Sequence, residues 1–268
     1  MPKIVAGDIE LYYEQHGAGV PLVLIPGFGT GLWIWFKQLP AFSKEFRTII
    51  FDPRGISRSD APDAPVTIRT IADDVAALLR ALRIESAHIL GASFGGFVAQ
   101  ELALGFPEMT RSLTLCCTSF GGPHHVPPSL ETLQALASTK GLNTEERVRE
   151  NLLLAFSPEF VERNRQEVEK VIELRAQNFV PEYAYLHQLQ AALDFNAEDR
   201  VSEITAPTLV LTGDADIIVP VDNSRNLAAR IAGARLVTIK GGSHTFFIEQ
   251  ADEFNAAIIK FIKETEAV

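Results

Sequence analysis

The stretch ILGASFGGFVAQELA, Ile89 to Ala103, changes character at its middle: an apolar run suited to a strand gives way to FVAQELAL, which suits a helix. The junction, Gly91-Ala92-Ser93-Phe94-Gly95, fits G-x-S-x-G. Between a strand and a helix that pattern marks a bend in which the serine backbone is strained and the glycines leave room for neighbouring main chain. The bend aims the serine hydroxyl toward the helix N-terminus, where unpaired N–H groups and the helix dipole favour developing negative charge. A plain helix cap would also place a serine here, but a cap does not require glycine on both sides.

Further short apolar runs recur along the chain: PLVLIP (21–26), TIIFD (48–52), AHILGA (87–92), SLTLCC (112–117), PTLVLTG (207–213) and RLVTIK (235–240). Their continuous rather than alternating hydrophobicity is that of parallel strands covered on both faces. KIVAG and ELYYEQHG, close together near the start, predict an antiparallel hairpin at the sheet edge. Between the runs lie apolar stripes at helical spacing, such as Ile68, Ile71, Val75, Leu78, Leu79 and Leu82. Strands alternating with helices predict a doubly wound α/β fold.

This rhythm breaks for about ninety residues after SLTLCC, where the patterns are helical and bounded by FGGPHHVPP and ITAP. We therefore expect a core formed by residues 1–120 and 205–268, with a helical insertion at 121–204 after the sixth strand. Placed beyond a strand's C-terminal end, the insertion would overlie the edge where such sheets bind ligands.

A serine hydroxyl becomes nucleophilic only when a base takes its proton. Of the six histidines, His244 follows the last strand run and belongs to the same sheet edge as Ser93. His88 lies within a strand, His16 in the hairpin, and His124, His125 and His187 in the insertion. The adjacent His124 and His125 lack the companions of a metal-ligand set. The base needs an acceptor for its second ring nitrogen, and LTGDADIIVP offers Asp214 and Asp216. Asp214 follows the strand glycine directly and suits a local turn role, whereas Asp216 sits deeper in the loop and can reach across the strand ends.

Ser93, Asp216 and His244, in that order and each beyond a strand, resemble the α/β-hydrolase superfamily. The resemblance spans nearly the whole chain. It takes in FDPRGISRSD (51–60), similar to D-x-R-G-x-G-x-S although Ser57 stands at the usual glycine, and GDADIIVP, similar to G-x-x-D-x-x-x-P, which places the acid at Asp216. It implies a mostly parallel eight-stranded sheet with helices on both faces and a helical cap after strand 6. It also implies an oxyanion hole in IPGFGTG, from the backbone N–H groups of Phe28 and Phe94. Pro26 replaces the histidine common in that loop, which affects a supporting contact and not the hole itself.

Relatives that cleave epoxides or carbon–halogen bonds carry aspartate at the elbow, so Ser93 points to acyl chemistry. The expected reaction is hydrolysis of a small or medium, largely apolar ester or lactone. C–C bond hydrolysis, cofactor-free perhydrolysis and a slow-turnover ligand receptor are alternatives on the same triad, and Gly95-Gly96 favours an enzyme over the receptor. Trp33, Phe156, Tyr183 and Tyr185 are candidate pocket residues, and no cluster of arginines advertises an anionic substrate. No cofactor or metal is implied.

A net charge of −10 argues against a nucleic-acid partner. No uninterrupted apolar stretch long enough for a membrane span is present, and the N-terminal residues lack a signal-like apolar core. Cys116 and Cys117, the only cysteines, are sequence neighbours in an apolar run and are read as reduced core thiols. The expectation is a cytoplasmic monomer or homodimer acting on a small molecule.

Overall fold

The computed structural model describes residues 3–137 and 144–267. Its strands are β1 (Lys3–Ala6), β2 (Ile9–His16), β3 (Pro21–Ile25), β4 (Arg47–Phe51), β5 (Ala87–Ala92), β6 (Thr110–Cys116), β7 (Thr208–Gly213) and β8 (Arg235–Ile239). They form one eight-stranded sheet in the order β1-β2-β4-β3-β5-β6-β7-β8. The β1–β2 hairpin is antiparallel, β2 runs antiparallel to β4, and every other pairing is parallel. The six apolar runs are the six parallel strands; β3 to β7 are buried almost throughout, whereas β8, at the sheet edge, fully buries only Ile239.

Successive strand residues feed two separate cores. Val23, Ile25, Ile49, Ile89, Leu113 and Val210 pack on one face with α2 (Ile68–Ala81) and α3 (Phe94–Gly105). Leu22, Leu24, Ile50, Leu90 and Leu211 pack on the other with Phe42 of α1 (Leu39–Phe42) and with Phe254, Ile258 and Phe261 of α11 (Ala251–Glu266). Helix α2 starts at Thr67, whose hydroxyl accepts the Thr70 N–H at 3.0 Å. Its apolar stripe faces the sheet, and its one buried carboxylate, Asp74, meets Arg54 of the loop after β4. Arg54 Nε donates to Asp74 Oδ2 at 2.5 Å and Nη2 to Oδ1 at 2.6 Å, a two-pronged pair.

Helices α4 (Leu130–Ala137), α5 (Thr144–Ala155), α6 (Pro158–Arg163), α7 (Arg165–Gln177) and α8 (Glu182–Asp194) lie between β6 and β7. Of the expected insertion, residues 138–143 lie outside the described residues. The segment leaves and rejoins the sheet at one neck, where Gly121 bridges Asn196 and the Ala197 N–H donates to Phe120 O at 2.8 Å. Helix α9 (Val221–Arg230) connects β7 to β8, and α10 (Phe246–Glu249) precedes α11. None of the described helices is long and apolar enough to cross a membrane.

Because Asp74 is 4% exposed, removing it leaves the partly buried Arg54 cation only the exposed Asp8 carboxylate, which its Nη2 meets at 2.9 Å. Asp74→Ala is expected to destabilise the fold by about 3–5 kcal/mol, read as a lower urea midpoint.

Candidate active site

The bend read from the sequence is present. Ser93 has φ 54° and ψ −119°, a region that residues with a side chain rarely occupy. Two close approaches enforce it. A Cβ on Gly91 would overlap the Gly95 carbonyl, and one on Gly95 would overlap the Ile25 carbonyl at the end of β3. Strand β6 and the loop after it hold both sides of the serine peptide: the Ser93 N–H donates to Cys116 O at 2.8 Å, and the Thr118 hydroxyl donates to Ser93 O at 2.8 Å.

His244 sits in the loop between β8 and α10. Its Nε2 lies 3.1 Å from Ser93 Oγ and its Nδ1 lies 2.8 Å from Asp216 Oδ2. With Nδ1 donating to the carboxylate, Nε2 is left to accept the serine proton. Asp216 is buried, and its other oxygen accepts the N–H groups of Ile218 at 2.8 Å and Val219 at 2.9 Å, which fixes the carboxylate plane. Asp214 is turned away: its Oδ1 accepts the Gly241 N–H and serves the local turn. Of the two acids the sequence offers, the structure brings Asp216 to the histidine.

The histidine loop is braced by a polar cluster that the sequence reading did not single out. Glu249 of α10 accepts hydrogen bonds from the hydroxyls of Ser243 and Thr245, and from the Ser157 hydroxyl at 2.6 Å and N–H at 2.9 Å. The Thr245 hydroxyl has one proton to share between Glu249 Oε1 at 3.0 Å and Ala155 O of the cap at 2.9 Å. This carboxylate thus ties the residues on either side of His244 to the cap at the α5–α6 junction. In sequence its only signal is an acid five residues beyond the histidine, on the first turn after the loop.

The other histidines are accounted for elsewhere. His88 is buried against Ser112 and Glu266, His16 pairs with Glu14, His124 with Glu198 and His187 with Asp63, and His125 Nδ1 meets Gly122 O. Among the described residues, the grouping of metal-type side chains is Cys117, Asp216 and His244. Burial, and secondly the Asp216 charge, push the Cys117 thiol well above its ordinary range, so it stays protonated and is a poor metal donor. Asp216 and His244 are already engaged with each other. Cys116 and Cys117 are free and buried.

The loop after β3 forms a turn in which both the Thr30 N–H and the Thr30 hydroxyl donate to Gly27 O, at 3.2 and 2.8 Å. A Cβ on Gly27 would sit 3.6 Å from the Ser93 Cβ, so the turn lies directly against the nucleophile bend. The Phe28 amide lies outside the turn's own hydrogen bond, whereas the Gly29 N–H is taken by Gln188 Oε1 of α8 at 3.0 Å. Phe94, the first residue of α3, carries an amide with no acceptor one turn earlier in its helix. Both N–H groups expected of the oxyanion hole thus belong to backbone beside Ser93.

Ser57, where the family pattern has glycine, adopts the left-handed φ of 49° that explains that preference. Its N–H donates to Phe179 O at 2.9 Å and its hydroxyl to Asn178 Oδ1 at 2.9 Å. The serine offsets its backbone strain with bonds to the cap.

The candidate pocket residues separate. Tyr185 meets the Phe28 ring edge-on at 4.5 Å and lies beside the turn after β3. Phe156 stacks on Phe160 and lines a cavity of about 650 Å³ with Leu153, Val168 and Ile217, the last adjacent to Asp216. Trp33 is buried in the apolar cluster that also holds Phe156 and Cys117. Tyr183 is committed elsewhere: its hydroxyl donates to Ala61 O at 2.6 Å, strapping α8 to the loop after β4.

Residues 20–251 match the family described as the alpha/beta hydrolase fold, and the chain belongs to that family. A relative from Azorhizobium caulinodans, provisionally named carbamate hydrolase RutD, is 31% identical over 99% of this chain and 100% of its own. Two solved structures superpose over nearly the full length: a hydrolase from Pseudomonas aeruginosa (31% identity, TM-score 0.85, 97% of each chain) and an enol-lactonase from Burkholderia xenovorans (28% identity, TM-score 0.86, 98% of this chain and 100% of that one). The chain is a hydrolase of this fold.

Asp216→Asn is expected to lower kcat roughly 10⁴-fold by presenting the wrong histidine tautomer, while Asp214→Asn should cost far less. Steady-state kinetics on both variants tests the assignment, and the opposite ranking would move the acid to Asp214.

Proposed function

We propose that the protein is a serine hydrolase that cleaves a small or medium carboxylic ester or lactone through an acyl-enzyme. The observation that carries this reading is the unbroken hydrogen-bonded line from Ser93 Oγ through both His244 nitrogens to Asp216 Oδ2. Ser93 Oγ attacks the carbonyl carbon as His244 Nε2 takes its proton. The oxygen that becomes anionic is received by the N–H groups of Phe28 and Phe94, and a single such donor is typically worth ~3 kcal/mol in the transition state. Collapse of the adduct expels the alkoxide, which takes the proton back from His244 and leaves the acyl group on Ser93. Water deprotonated by His244 then attacks the same carbon and releases the acid.

The enol-lactonase superposition supports a lactone, which is a cyclic ester, as a substrate. The full-length likeness to a protein named as a carbamate hydrolase favours a second reading, a carbamate carbonyl attacked by the same serine. The two differ only in the group attached to the acyl carbon.

Ser93→Ala and His244→Ala are each expected to lower kcat on the order of 10⁶-fold, since triad members act as a unit. Near-native turnover by either variant would end the assignment. A panel of p-nitrophenyl esters, lactones and aryl carbamates should show sustained multiple turnover on esters or lactones. Preference for the carbamates would select the second reading, and a single slow turnover on all of them would point to a receptor.

A further inference from the structure

The cap brings one cation to the oxyanion turn. Arg175, near the end of α7, donates from Nη1 to Asn178 O at 2.9 Å. Its Nη2 lies 3.9 Å from the point a Cβ on Gly29 would occupy, and the Tyr185 ring lies 3.4 Å from that same point. Gly29 directly follows Phe28, whose ring meets Tyr185 at 4.5 Å and Phe94 at 6.0 Å. Guanidinium, oxyanion turn and the residue after the nucleophile are therefore consecutive neighbours. Gly29 is buried with φ 61°, and a Cβ there would already touch the Tyr185 ring and the guanidinium, so the cation lies against the turn backbone itself.

Other partly buried arginines here are neutralised: Arg54 by Asp74, Arg58 by Asp52 and Arg200 by Glu101. Arg175 has no carboxylate partner among the described residues. Burial pushes its proton affinity down, and Tyr185 is the one ionisable group acting against that shift. A cation held out of water without a counter-charge is unfavourable unless something completes it. The bond to Asn178 O uses one of five guanidinium donors, and a guanidinium's paired N–H groups match a carboxylate in a way that no single carbonyl does.

We propose that Arg175 receives a carboxylate carried by the substrate, so that the preferred ester or lactone is anionic at a short distance from its scissile carbonyl and otherwise apolar. This rests on Ser93 being the acylated residue. It narrows the substrate class without altering the chemistry.

The test uses two matched ester pairs that differ in charge. In one, the carboxylate is on the acyl chain (p-nitrophenyl hydrogen glutarate against p-nitrophenyl methyl glutarate). In the other, it is on the leaving group (3-carboxyphenyl butyrate against phenyl butyrate). In at least one pair the wild-type protein is expected to favour the anionic ester by tenfold or more in kcat/KM. Arg175→Gln should lower that selectivity ratio about 10- to 100-fold, with Arg175→Lys in between. A wild-type ratio near or below one in both pairs, or a ratio unchanged in Arg175→Gln, overturns the proposal. If Arg175→Gln does not fold, the wild-type ratios decide alone. Capture of Ser93 by a fluorophosphonate separates the two levels of failure. Capture with hydrolysis but no charge preference removes only the carboxylate site, whereas absence of both capture and hydrolysis removes the serine-hydrolase reading and this proposal with it.

Discussion

A serine peptide forced into a left-handed conformation at the end of β5 is the constraint on which the rest of the site depends. A non-glycine residue in such a region costs on the order of 1–3 kcal/mol, and the fold opposes relaxation from both sides. Gly95 is pressed against the Ile25 carbonyl of β3, while the Ser93 N–H and C=O are bonded to Cys116 and Thr118. Since β3, β5 and β6 are adjacent and parallel, these contacts follow from strand order. Together these contacts hold the Ser93 hydroxyl at the sheet edge, within 3.1 Å of His244 Nε2.

Everything else reaches that point by topology. The loops after β7 and β8 deliver Asp216 and His244 from neighbouring parallel strands, so acid and base arrive on the same edge though they are 28 residues apart in sequence. The turn after β3 supplies Phe28 from the opposite flank of β5. The cap reaches several of the surrounding loops: Gln188 holds the turn after β3, Asn178 and Phe179 hold Ser57, and Ser157 meets the carboxylate that braces the histidine loop.

The sheet and the triad were legible in the sequence because their signals are local and physically forced. Strands covered on both faces must be apolar throughout, as in PTLVLTG, and a bend this tight must spend glycines. The choice of Asp216 over Asp214 was readable from loop depth, since the residue next to the strand is needed for the turn itself. Side-chain direction within the cap was not readable. Arg175 lies in RQEVEKVIELRAQ, a helix so rich in charge that one buried guanidinium looks like any solvated one. Tyr183 and Tyr185 are two positions apart on α8 and therefore face different ways, one onto Ala61 and the other onto Phe28, a distinction that aromatic content alone does not carry. Glu249 was invisible for a related reason: its partners come from the cap and the histidine loop, distant in the chain.

The neck at Gly121 and Asn196 has a bearing on how such a chain diversifies. Strands β6 and β7 pair with each other directly, Leu113 opposite Thr208 and Cys116 opposite Leu211, so their alignment owes nothing to the helices strung between them. The insertion hangs from a ring of backbone closed by the Gly121–Asn196 bridge. Its sequence can drift and re-shape what the enzyme accepts where it does not meet the core, whereas Gln188, Asn178 and Ser157, which hold the loops around Ser93 and His244, tie part of it to the spacing of the reacting atoms.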